Sequence, residues 1–115
     1  MTPKQVYEEL HGDYNAIFSA VRSDAVIARL LKMLQKDESM KNLAKGIAES
    51  DPETAFRAAH TLKGVSLNLH LDELSKKAIE LTEILRPRVL VGYQDAYRAL
   101  VEEFQRTERA IEQLD

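Results

Sequence analysis

Apolar residues recur at three- and four-residue spacing along almost the whole chain, the mark of helices that each bury one stripe. Pro3 stands at a first helical position after Thr2, which predicts a short helix from Pro3 to about Leu10 with Gly12 as its C-terminal break. Asp13 then caps a segment with Tyr14, Ile17, Phe18 and Val21 at helical spacing. Ser23 or Asp24 opens the next, where Val26, Ile27, Leu30, Leu31 and Leu34 form the clearest amphipathic stripe of the first half. The polar run Gln35 to Glu38 reads as a connection, after which Ser39 is expected to cap a helix carrying Met40, Leu43, Ala44 and Ile47 to about Ser50.

Asp51-Pro52-Glu53 is a helix start, because the aspartate can accept the free amides while proline costs nothing in a first turn; the helix should run to about Leu69. Asp72 starts another, with Leu74, Ala78, Leu81, Ile84 and Leu85, and Pro87 stops it near Arg86. Gly92 precedes the last, which carries Tyr93, Ala96, Tyr97, Leu100, Val101, Phe104, Ile111 and Leu114. No strand-like alternation persists. Short links between amphipathic helices imply antiparallel neighbours, so the expected fold is all-α: an up-and-down four-helix bundle of the helices from about 39, 52, 72 and 92 onward, with additional short N-terminal helices.

Composition narrows the picture without changing it. At 115 residues one domain is expected. The absence of cysteine excludes disulfides and thiolate zinc sites, so packing has to supply the stability. A net charge of -3 lacks the basic footprint of a nucleic-acid binder. The start MTPKQVYEEL is charged, with no signal peptide or anchor, and no apolar run is long enough to span a bilayer; a cytoplasmic protein, monomeric for want of a further apolar face, is expected.

The chemistry is concentrated on the segment Glu53 to Leu69. On a wheel of about 100° per residue, Ala55, Ala59, Leu62, Ser66 and Leu69 fall together as the core side, while His60 lies roughly 150° from their centre. Glu53, Arg57, Lys63, Gly64 and Leu67 share its side. A histidine in water is commonly idle, but Lys63 at i+3 and Gly64 at i+4 border this one on the same surface. Neutral imidazole is a nitrogen nucleophile well populated near neutral pH, able to attack phosphorus without a separate base. Lysine serves the resulting charged product as a mobile ammonium. Glycine inside a helix costs about 1 kcal/mol relative to alanine, so its use here is the absence of a side chain, which leaves room for a phosphate or a partner's backbone.

The run Ala58-Ala59-His60-Thr61-Leu62-Lys63-Gly64 resembles the His-x-Leu-Lys-Gly motif of histidine-containing phosphotransfer (HPt) domains, the phosphorelay carriers of multi-step two-component signalling. The likeness continues through Val65-Ser66-Leu67-Asn68-Leu69 to Leu74, Glu83 and Arg86, and covers most of the chain in helix order and length. It implies that His60 is the phosphoacceptor, that Lys63 assists the phosphoryl group, and that Gly64 keeps the surface open for a receiver domain of a response regulator or a hybrid sensor kinase. Arg57 and the unexpectedly apolar Leu67 are candidate partner contacts on the same face. One departure stands out: the family commonly places glycine after the motif helix, where this chain has His70, here read as a tolerated end residue. His11 has no motif around it.

The resemblance also implies a phosphocarrier rather than an enzyme in its own right. It needs no cofactor of its own, with the aspartate and Mg²⁺ supplied by the receiver. No P-loop or Gly-rich phosphate loop is present, so ATP binding is not expected. Two other readings remain: a helical adaptor that docks a receiver or kinase domain and in which His60 is dispensable, and a carboxylate-bridged metal enzyme, for which only Glu8 to His11 has the Glu-x-x-His spacing.

Overall fold

The computed structural model describes Met1–Asp115 throughout, and its regular elements are all helices: α1 (Pro3–Leu10), α2 (Tyr14–Val21), α3 (Asp24–Leu34), α4 (Ser39–Ala48), α5 (Pro52–Asn68), α6 (Asp72–Leu85) and α7 (Gln94–Glu112). The caps explain most of the boundaries. Thr2 forms a reciprocal capping box with Gln5, and the side chains of Asp13, Ser23 and Asp51 accept the amides of Ala16, Val26 and Thr54.

Three details differ from the sequence reading. The left-handed residue that ends α1 is His11 (φ 55°), while Gly12 serves instead to let the chain pass close to Tyr7 and the His70 carbonyl. At α4, Glu38 occupies the capping position without a side-chain bond, and Ser39 is a buried first residue whose amide donates to Asp37 Oδ1 (2.8 Å). Ala44, placed on the apolar stripe of that helix, is exposed, since α4 buries Ser39, Leu43 and Gly46.

A single cluster of 24 buried apolar residues draws on all seven helices, so none stands outside the core. Three buried hydroxyls outside this cluster bond within their own helices: Ser66 donates to the Leu62 carbonyl (2.8 Å), Thr82 to that of Ala78 (2.6 Å) and Thr107 to that of Glu103 (2.8 Å). No buried side-chain nitrogen or oxygen lacks a partner.

The packing order is sequential in the second half, with α4 on α5, α5 on α6 and α6 on α7. The contact that would close a ring, α4 against α7, is not among the substantial ones; α7 takes α1 against it instead, and α1, α2 and α3 pack on one another. α1 also reaches the end of α5, where the Tyr7 hydroxyl donates to the Leu69 carbonyl (2.7 Å) and the Asp13 amide to that of His70 (2.9 Å). Burial without a charged partner pushes the Tyr7 phenol up, so it remains a donor to that carbonyl at any ordinary pH. The helix carrying the motif is thus held along two sides and pinned at its far end.

Candidate functional site

α5 starts firmly. Asp51 Oδ1 accepts the Thr54 amide (3.2 Å), its Oδ2 accepts the Thr54 hydroxyl (2.6 Å), and these bonds hold the Asp51 carboxyl below its usual range. Its other end is a complete Schellman turn: the Leu71 amide bonds the Ser66 carbonyl (3.1 Å), the His70 amide bonds that of Leu67 (3.1 Å), and His70 itself is left-handed (φ 56°). His70 therefore takes the conformation in which glycine would be easiest, and the docking of its carbonyl on Asp13 helps to fix it there.

Between these ends the helix buries Ala55, Phe56, Ala58, Ala59, Leu62 and Ser66 and turns His60 to solvent. Helical side chains lean toward the N-terminus, so each covers the turn before its own Cα. His60 accordingly lies against Phe56, one turn back, with ring centroids 5.8 Å apart. By the same geometry a side chain at position 64 would lean over His60. Gly64 has none, and a Cβ placed there would meet nothing within 4 Å. Lys63 is half-buried at the adjoining position. The structure thus brings His60, Lys63 and Gly64 to one surface.

Arg57 and Leu67 extend that surface in opposite directions. Arg57 is exposed but not free, since its Nε donates to Glu53 Oε1 (2.7 Å). Leu67 is 46% exposed and lies about 10 Å further along the axis than His60. Near it a groove between α3 and α5 is lined by Leu30, Met33, Leu34, Val65 and Leu69 together with the polar Asp37 and Asn68, and Met33 is 60% exposed. His11 is distant in role as in sequence: it ends α1 and joins no cluster of three groups able to hold a metal.

The residues that spacing did not reveal come from the connection after α6. The Arg88 guanidinium carbon sits 3.7 Å from the centroid of the Phe56 ring, and that of Arg86 5.4 Å from it. Arg88 Nε donates to Glu53 Oε2 (2.8 Å), so Glu53 joins Arg88 to Arg57 and its carboxyl is held below the usual range, first by Arg88 and then by Arg57. Glu83 on α6 takes both Nε (3.0 Å) and Nη2 (2.8 Å) of Arg86. That fork lowers the Glu83 carboxyl, and the nearby ammonium of Lys63 in the motif lowers it further. Of this cluster the sequence placed Glu53 and Arg57 on the His60 side and brought in Glu83 and Arg86 through the family likeness; nothing in the spacing showed that Arg88 folds back across Phe56.

No curated protein and no solved structure matches the chain. The family model of the Hpt domain matches residues 26–115, from early in α3 through α7, leaving α1 and α2 outside the match. With the motif helix and its exposed histidine inside the matched span, the chain belongs to the Hpt domain family, whose role is phosphotransfer in two-component signalling.

Proposed function

We propose that this protein is a phosphorelay carrier: His60 accepts a phosphoryl group from a receiver-domain aspartate and passes it to another receiver. The observation that carries the reading is the empty space over Gly64 directly beside an exposed imidazole. An open approach is what an in-line attack on a partner's acyl phosphate requires, and a helix gains nothing else from glycine there.

In the transfer step the lone pair of a His60 ring nitrogen attacks phosphorus. The N–P bond forms as the P–O bond to the aspartyl carboxyl breaks, the electron pair leaves on the carboxylate, and the proton on the other ring nitrogen is released to solvent. Lys63 offers an ammonium to the phosphoryl oxygens throughout. Mg²⁺ and the aspartate belong to the receiver, so the protein works as a carrier with no nucleotide or metal site of its own. Arg57, Gly64 and Leu67 form the docking face, and the apolar groove between α3 and α5 extends it. The four helices α4–α7 act in this reading as an antiparallel up-and-down bundle, supported by their short links and sequential packing. No helix is long and apolar enough to cross a membrane; a cytoplasmic, monomeric carrier is part of this proposal.

The test is incubation with phosphorylated receiver domains, run beside His60→Gln and checked for the acid lability and alkali stability of a phosphoramidate. Label on the wild type that vanishes in the variant supports the carrier. Receiver binding without label, across a panel of receivers, favours an adaptor in which His60 is dispensable. Lys63→Ala should slow transfer and leave the fold intact; an unchanged rate would remove Lys63 from the mechanism.

A further inference from the structure

In the carrier reading His60 has one cation on the C-terminal side of its ring, Lys63, while its N-terminal side is occupied by groups that the transfer chemistry has not used. There the imidazole lies against Phe56, and of the two arginines over the Phe56 ring Arg88 is the nearer. Three contacts fix this arginine. Its guanidinium stacks on the Phe56 ring at 3.7 Å, its Nε donates to Glu53 Oε2 (2.8 Å), and its Nη1 donates to the Arg86 carbonyl (2.7 Å). The backbone contributes as well: Arg88 is left-handed (φ 59°), and its amide closes the end of α6 on the Leu85 carbonyl (2.8 Å). A non-glycine residue in that conformation carries a strain that the rest of the structure must offset.

The arrangement leaves donors over. A guanidinium presents five N–H bonds in a rigid fork, and the two hydrogen bonds of Arg88 occupy Nε and one hydrogen of Nη1. Nη2 has no partner, and the side chain is 42% exposed. Arg86, whose Nε and Nη2 bond Glu83, also leaves its Nη1 without a partner, but its guanidinium carbon stands 5.4 Å from the Phe56 centroid against 3.7 Å for Arg88, so it is the less closely held of the two against that ring. Arg88 is therefore an immobilised cation whose outer edge is free, one aromatic ring away from the nitrogen nucleophile. Because the stack and the Glu53 pair already hold it, binding an oxyanion would cost little further side-chain entropy.

We propose that Arg88 is a second phosphoryl-binding residue, its Nη2 edge donating to the oxygens of the phosphoryl group on His60 while Lys63 attends them from the other side. This rests on the carrier reading and goes beyond it by giving the connection after α6 a part in setting how stable the phosphohistidine is. Phosphorylation adds a dianion beside Glu83, and a second cation offsets the repulsion between them. Phe56 is then a positioning residue, acting by holding the guanidinium beside the imidazole. The competing account is a staple: Arg88 ties the connection to α5 and never meets the phosphate.

The two accounts separate on protein phosphorylated chemically with potassium phosphoramidate, which needs no receiver. Phosphorus NMR titration of the phosphohistidine in wild type, Arg88→Ala and Arg88→Lys reads the phosphoryl group directly, and its hydrolysis rate is followed in the same samples. A cation in contact lowers the pH at which the phosphoryl group titrates, so Arg88→Ala should move that titration up by about half a unit or more, with Arg88→Lys between. Hydrolysis in Arg88→Ala should be about 3- to 10-fold faster, because the bond lost is charge-assisted and partly exposed. Equal titration and equal lifetime in wild type and Arg88→Ala, even with a lowered melting temperature, would overturn the proposal and leave the staple. Failure of the carrier reading would show elsewhere, as a wild type that takes no label from any phosphorylated receiver.

Discussion

Two glycines mark the two sides of the motif helix, and they are there for opposite reasons. Gly46 on α4 faces the first turn of α5 so closely that a Cβ would stand 2.6 Å from the Ala55 amide nitrogen, 3.0 Å from its Cα and 3.1 Å from the Asp51 carbonyl oxygen. Gly64 on the outer side of α5 would meet nothing within 4 Å. Both carry the propensity cost of glycine inside a helix, about 1 kcal/mol relative to alanine. At Gly46 the fold recovers that cost, since only a missing side chain lets the two backbones touch. At Gly64 the fold recovers nothing, so the reason for the glycine lies in something that must approach from outside. A residue that looks the same in the sequence is structural on one side of a helix and functional on the other, and the distance to the nearest atom tells them apart.

The comparison predicts that the two sides respond to mutation on different scales, and the sharpest contrast is Leu62 against His60. Leu62 is fully buried on the core side. Leu62→Ala should lower the unfolding free energy by about 2–5 kcal/mol through lost transfer energy and the cavity left behind. His60→Gln, on the exposed side, should stay within about 0.5 kcal/mol of the wild type while losing phosphohistidine altogether. Urea unfolding of both variants measures this, and a His60→Gln protein as unstable as Leu62→Ala would show that the imidazole is part of the core.

The glycines themselves give the next largest effects. Gly46→Ala forces α4 away from backbone atoms that have nowhere to go, a cost of about 1–3 kcal/mol. Gly64→Ala should go the other way and stabilise by up to about 1 kcal/mol, since it gains helix propensity and meets no neighbour. Thermal unfolding of the pair reads the difference in sign. Destabilisation by Gly64→Ala would mean that the space over His60 is not open, and the docking argument would lose its footing.

Much of this contrast was legible in the sequence, and the part that was not has a physical reason. The wheel separated Ala55, Ala59, Leu62 and Ser66 from His60, Arg57 and Leu67 because a helix fixes which residues share a side. The caps at Asp13, Ser23 and Asp51 were legible for a similar reason, as local chemistry between residues three apart. Phe56 and Ala58 were not assigned to the core, because they lie at the flank of the apolar stripe and their burial depends on what covers them. For Phe56 the cover includes Arg86 and Arg88, more than two dozen residues later. No periodicity within one helix encodes where a later connection will fold back. The absence of a substantial α4–α7 contact belongs to the same class, since it depends on where α1 settles.

The smallest expected effect lies where the two sides of α5 meet. Glu53, half-buried in the first turn, accepts from Arg57 on its own helix and from Arg88 on the connection, and both hold its carboxyl below the ordinary glutamate value of 4.5. A carboxyl whose value is depressed by folding contributes stability that is fully present above the ordinary value and is lost as the pH falls through the lower, folded one. Glu53→Gln should therefore differ from the wild type by a constant small amount at neutral pH, and the two should converge in acid below about pH 4.5. Asp51 and Glu83, also depressed, keep their own part of the acid limb in both proteins, so the comparison isolates Glu53. Urea midpoints across a pH series measure the convergence. A gap that persists unchanged into acid would mean that Glu53 acts through packing rather than charge, and the outer side of α5 would then be more like its core side than the two glycines imply.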